Sequence, residues 1–362
     1  MTTEAGGATA IVGGRALIGA NLDVVDDSVV VLEGGVIAAA GSRADTSVPD
    51  DAAIVDASGL VLLPGFIDAH VHIGFARPSE VLRRGVTTVR DLGWPPKKIW
   101  PLVEASRRTD FDGPEILAAG QMLTAPRGYP SRATWAPRRT ALPVSSPVEA
   151  AEAVAAQADS GACIVKVALN PPVGPTLDGP TLAAIVEAAH DRDLRVTGHI
   201  YGLAELHKAI DAGVDELAHM LMSPEPIPSG TLARMAAQQM TVVPTLACFF
   251  AAAQDIAVDN LRAWLAAGGA VVYGTDLGNE GPRPGIDPRE VEALTRAGLS
   301  TTAIIACATI DAARYLGLDD RGVLSVGRRA DVVALRTAAL DDASALTDVA
   351  LVWRQGRRVG NS

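Results

Sequence analysis

Residues 62–74 read LLPGFIDAHVHIG: an apolar, β-type run that ends on two histidines, His70 and His72, one residue apart. Side chains alternate along a strand, so both imidazoles face the same side and can grip one metal ion from a single strand end. Such a pair recurs by chance in many proteins. Its weight depends on the pattern that follows it.

Counting that run, eight apolar, β-branched segments alternate with helical patterns: FIDAHVHI, GVTTVRDL, PEILAAG, CIVKVAL, LRVTGHI, DELAHM, TVVPTLA and VVYGTD. Between them, PTLAAIVEAAHDRD and GLAELHKAIDAG place apolar residues three and four apart, as helices packed on a sheet require. Strands alternating with helices predict an α/β protein with a parallel sheet, and eight repeats close a (β/α)8 TIM barrel. An open doubly wound sheet is the alternative, but no glycine-rich phosphate loop follows an early strand.

The flanks read differently. From about residue 8 to 62 short β runs alternate with turns, and VVDDSVVVLEGGVIAAAG turns a hairpin corner at Gly34-Gly35. Near the other end, ADVVALR and DVALVWRQGRRVG read as strands around a Gln355-Gly356 turn. Both ends are therefore expected to build one small, discontinuous β-sandwich (1–62 and 320–362) around a barrel at 63–319.

Composition narrows the partners. The 362 residues are 48% hydrophobic and 20% charged, enough for a large core and unlike a disordered chain. A net charge of −11 disfavours nucleic acid and acidic membranes and leaves a small molecule as the expected partner. A homo-oligomer is compatible with the sequence, which does not set the oligomeric state. Cys163, Cys248 and Cys307 are too scattered for a disulfide framework or thiolate zinc knot and read as buried thiols in a reducing compartment. The start, MTTEAGGATA, lacks a secretory pattern, and no apolar run has the length of a membrane span, so a cytoplasmic location is expected.

Barrel enzymes carry their chemistry at the C-terminal strand ends. By that rule the strand ends present His70 and His72, Lys166, His199, His219 and Asp276, which include four of the six histidines. His190 and His207 fall in helices and read as surface or packing residues. Imidazole and carboxylate donors suit zinc, with manganese, cobalt and iron able to use the same set. Lys166 is the odd member. It either belongs to a separate ion pair or, as a buried neutral amine, adds carbon dioxide to become an anionic carbamate.

These motifs resemble the amidohydrolase superfamily, in its imidazolonepropionase-like and prolidase-like branch. PGFIDAHVH resembles the family's first strand, GVTTVRDLG its second, and GACIVKVAL the fourth, with the lysine that is carboxylated in binuclear members. VTGHIYG, DELAHM, GTDLG and VGRRADVVAL resemble the later histidine strands, the eighth strand and the return into the sandwich. The resemblance implies two divalent ions. His70, His72 and Asp276 would hold the more buried one, His199 and His219 the more exposed one, with the Lys166 carbamate and a hydroxide as bridges. Asp276 would shuttle the proton while a C–N bond is hydrolysed.

Two loops, IGFARP and CFFAAAQD, are shorter than in typical relatives, and Tyr201 stands where many carry another histidine. Tyr201 either donates to substrate or a developing oxyanion, or packs at the rim. The long segment 120–147 holds Tyr129, Trp135 and the arginines Arg127, Arg132, Arg138 and Arg139, with Arg283 in the loop after the eighth strand. Arginine pairs with carboxylates, so Arg127 or Arg132 is expected to meet an acidic group of substrate beside Tyr129, Trp135, Tyr201 and Phe249. Arg90 reads as a brace to Asp91 or another strand-end carboxylate. The expected reaction is cleavage of an N-acyl amino acid or dipeptide. A lactam, lactone or organophosphate ester is the alternative, and a catalytically retired scaffold is a further one.

Overall fold

The computed structural model describes residues 7–336, 340 and 342–360. The first six residues, part of the start examined for a secretory pattern, and the sandwich positions 337–339, 341, 361 and 362 lie outside them.

The eight expected barrel segments form parallel strands at Phe66–Val71, Val86–Asp91, Glu115–Ala118, Val165–Leu169, Val196–Ile200, Glu216–Leu217, Thr241–Val242 and Ala270–Val271. The ring closes where Ala69 N donates to Tyr273 O (2.9 Å) and Val71 bridges Leu277. Between the third and fourth strands the wall is completed by Met122–Thr124, whose Met122 lies in register with Lys166. This corrects the reading of 120–147 as loop throughout. A second short strand, Ala141–Pro143, pairs with the first.

The two helical patterns fold as helices Gly179–His190 and Leu203–Ala212. Asp178 caps the first through Thr181 N, and Gly213, at φ +83°, ends the second in the left-handed region that glycine tolerates.

Both ends of the chain meet in the companion unit. One sheet holds Thr9–Val12, Ser28–Glu33, Val36–Ser42 and Ala53–Asp56; the other joins Arg15–Ile18, Asp23–Val25 and Val61–Pro64 to Val332–Leu335, Val349–Arg354 and Arg357–Arg358. Strand alternation decides what each face covers. Leu62, Val332 and Ala334 pack with Ile11, Val30 and Trp353 inside the sandwich, whereas Val61, Leu63, Val333 and Leu335 join the barrel's apolar cluster. Val61–Pro64 is buried along its whole length because it lies between two cores. After Gly65 the chain enters the first barrel strand, so His70 stands six residues beyond this sheet.

No single helix among the described residues is long and apolar enough to cross a membrane.

Candidate metal centre

The first strand ends at Val71, and His72 lies just beyond it, ahead of a 3-10 turn. His70 Nδ1 is 2.7 Å from Ala218 O, and His72 Nδ1 is 3.2 Å from Gly93 O. A carbonyl only accepts, so each ring carries its proton on Nδ1 and turns the lone pair of Nε2 inward. Both Nε2 atoms lie 3.3 Å from Asp276 Oδ1. Asp276 has φ +59°, and its backbone N–H donates to His70 O (2.7 Å), which pins the eighth strand end against the first.

A second carboxylate fixes that junction. Buried Asp68 accepts from Thr275 Oγ1 (2.6 Å), Thr275 N (3.1 Å) and His70 N (3.1 Å). Burial raises its pKa to about 7 against those hydrogen bonds. Asp91 accepts from Ile73 N (2.9 Å) and Gly93 N (3.0 Å), which sets the turn after His72.

The other three residues face the same space. The His199 and His219 ring centroids are 4.7 Å apart, and His219 is 4.8 Å from His70. The Asn170 side-chain amide lies 3.0 Å from His199 Nε2, while His219 Nδ1 meets Thr245 Oγ1 at 2.8 Å. One nitrogen of each ring is thus engaged, and the other is available to an ion. Lys166 is 1% exposed, and its charge acts on all four imidazoles and on Asp276.

Burial dominates the electrostatics. It lowers His72 to about 4 and His199 to about 3, with the Lys166 charge adding to the effect, and pushes His70 and His219 well below the usual range. All four rings are neutral at pH 7, as metal ligation requires. Burial also lowers Lys166 and raises Asp276, and their mutual attraction opposes both shifts.

Three of these buried atoms have no hydrogen-bond partner: His70 Nε2, Lys166 Nζ and Asp276 Oδ1. A buried polar group left without a partner costs about 1–3 kcal/mol, and three at one point mark a place built for a missing ligand. His70, His72 and Asp276 bring their donor atoms within 4.8 Å of one another. A nitrogen and oxygen set of this kind fits a divalent metal ion.

The site opens into a cavity of about 380 Å³ whose wall includes Tyr129, Tyr201, His199, His219, Phe249 and Asp276. Tyr129 stacks 4.7 Å from His199, and Trp135 lies 5.2 Å from His72 with Phe75 behind it at 6.3 Å. Trp94 packs on Phe75 at 4.7 Å and leaves no room for a side chain at Gly74, where a Cβ would come within 2.2 Å of the indole. A larger cavity of about 710 Å³ beside helix Pro288–Ala297 contains none of these ligands.

The arginines fall elsewhere. Arg127, Arg132, Arg138, Arg139 and Arg283 are exposed, and none lines the 380 Å³ cavity among the described residues. Arg90 does not pair with Asp91; its Nη2 donates to both Glu216 oxygens (2.8 and 2.9 Å) and its Nε to Ala69 O (2.7 Å). His190 pairs with Asp215 at 3.0 Å and His207 with Thr231 Oγ1 at 2.9 Å, both away from the centre.

Sequence reasoning passed over Asp68, Asn170, Thr245 and Cys248. Cys248 Sγ lies within 4.8 Å of donor atoms of His219 and Asp276, in the wall of the cavity. Its position in the brief loop after the seventh strand was the available signal.

Comparison with known proteins places these features. The chain is 31% identical over 327 residues to adenine deaminase 2 of Rhizobium meliloti, covering 87% of this chain and 52% of that one, about half the relative's length. It is 25% identical over 370 residues to ochratoxinase of Aspergillus niger, covering 82% and 75%. The crystal structure of a Xaa-Pro dipeptidase with bound methionine superposes with a TM-score of 0.83 at 23% identity, over 97% of this chain and 99% of that one. The pattern of the Amidohydrolase family matches residues 61–359, from the sandwich strand before His70 to just past the last described strand. The chain belongs to the Amidohydrolase family and is a metal-dependent hydrolase of that fold.

Proposed function

We propose that this protein hydrolyses the amide bond of a small molecule with an apolar flank, of the N-acyl amino acid or dipeptide type. The observation that carries the reading is the convergence of His70 Nε2, His72 Nε2 and Asp276 Oδ1, two of them buried without a partner, beside a molecule-sized cavity that Asp276, His199 and His219 line. His70, His72 and Asp276 would hold one divalent ion and His199 and His219 a second, with Lys166 as a carbamate between them; zinc is the proposed metal. Bound there, the ions supply an acidified water and a Lewis acid for the carbonyl.

The chain's own groups do the rest. The carboxylate of Asp276 takes the proton of the attacking water and returns it to the leaving nitrogen. A carboxylate raised by burial is suited to both steps. Tyr201, two residues beyond His199, stands in the cavity wall where its hydroxyl can donate to the carbonyl oxygen. Phe249, Phe250 and Met220 offer the apolar surface for the acyl or side-chain portion. With the loop arginines outside the cavity, a substrate carboxylate would be met by tyrosine hydroxyls and Asn279. The likeness to a Xaa-Pro dipeptidase with bound methionine supports the amide reading.

The test is a parallel assay of metal-replete protein on dipeptides, N-acyl amino acids, lactams, lactones, organophosphate esters and adenine. Turnover of a linear amide well above the other classes is expected. Faster turnover of a lactone or phosphate ester, or of adenine, would replace the proposal.

A further inference from the structure

We infer that Cys248 is a sulfur ligand of this centre, joining the ion held on the His199 and His219 side. The inference rests on the metal-centre reading above and adds a donor to it. Cys248 Sγ, a ring nitrogen of His219 and a carboxylate oxygen of Asp276 lie within 4.8 Å of one another, close enough to share one ion. The same carboxylate reaches both sides of the centre: its Oδ2 lies 3.9 Å from His219 Nδ1, while its Oδ1, without a hydrogen-bond partner, faces His70 and His72.

Thr245 ties the two ligand side chains together. Its hydroxyl holds His219 Nδ1 at 2.8 Å, and its carbonyl accepts the Cys248 thiol at 3.0 Å. That carbonyl contact is one the thiol can release, because a coordinated thiol loses its proton to the metal's charge. The step balances as a thiol and a divalent ion giving a metal thiolate and one proton, which leaves to water, with no change of oxidation state. A sulfur donor is soft, so the site should favour zinc and cadmium over manganese.

The experiment compares wild type with Cys248→Ser and Cys248→Ala, each checked for folding by thermal melting. Metal-free protein is loaded with Co2+ and read by absorption, then titrated with Cd2+ and Mn2+. Wild type should show a near-ultraviolet sulfur-to-cobalt charge-transfer band that both variants lose while they keep the visible cobalt bands. Cadmium affinity should drop roughly tenfold or more in the variants, with manganese affinity unchanged. Cobalt uptake without the charge-transfer band, or equal cadmium affinity in all three proteins, would sink the inference and leave the metal centre standing. Protein that takes up no cobalt would remove the centre itself, and the sulfur ligand with it.

Discussion

At the residue scale, the arrangement makes Asp276 the group with most to lose. Its Oδ1 faces both first-strand imidazoles, and an amide in its place accepts a proton poorly. Asp276→Asn should lower kcat by about 10²–10⁴-fold with KM little changed, and near-normal turnover would refute the shuttle. Lys166→Ala should lower metal content, with partial recovery in short-chain carboxylic acids that can occupy the emptied position. An unchanged two-metal stoichiometry in that variant would speak against a carbamate. The histidines also set an acid limit. His72 and His199 titrate at about 4 and about 3 when folded, below the 6.5 of an ordinary imidazole. Between those limits these imidazoles bind more protons in the unfolded chain than in the folded one, whereas buried Asp68 and Asp91, raised to about 7, bind more in the folded one and oppose them. Metal-free wild type should therefore lose stability relative to a His72→Gln variant as pH falls from about 6.5 to 4. A constant difference in melting temperature between the two proteins over that range would contradict this. Each of these residues could be read from strand-end position alone. Asn170, Thr245 and Asp68 could not, because what marks them is a partner far away in sequence, as when Asp68 meets Thr275 across the closing seam.

At the scale of elements, the site depends on strand ends that are very short. Glu216–Leu217 and Ala270–Val271 are two-residue strands, yet they aim His219 and Asp276. The run VVYGTD announces the second by its apolar, β-branched start, since burial on both faces removes the alternation but not the composition, whereas DELAHM has no β-branched residue and is marked by its place between helical patterns. The third-strand segment is the counterexample. Its strands Met122–Thr124 and Ala141–Pro143 are three residues each, too short for a periodic signal, and they form because Met122 finds Lys166 alongside. The same distance effect misplaced the arginines: side-chain type located them on the right loop, but their direction follows from a backbone no pattern specifies. Arg90 shows what buried charge does here. It joins the second strand to Glu216 on the sixth and to the carbonyl beside His70. Glu216→Ala leaves that guanidinium buried and unpaired, and denaturant unfolding should show a loss of about 3–5 kcal/mol.

At the scale of the whole molecule, barrel and sandwich are clasped by a buried ionic cluster. Arg329 reaches Glu115 and Asp331, and Arg321 meets Thr88 at 3.0 Å and Glu115 at 3.2 Å. Burial would raise Glu115, but the two guanidiniums outweigh it and hold the carboxyl below its usual range. Arg329→Ala should lower Tm clearly, leaving metal bound per folded molecule unchanged, because Glu115 starts its strand at the end away from the centre and Thr88 lies in register with it. Loss of metal at normal Tm would contradict the separation.

The central pairing of Val61–Pro64 with Val332–Leu335 has a consequence for synthesis. The two strands are separated by the whole barrel segment, and their shared sheet supports the residue run that leads to His70 and His72. A ribosome must therefore deliver almost every residue before this sheet can form, and long-range closure of this kind is slow. The first pair of metal-gripping imidazoles is made early, but its footing arrives last.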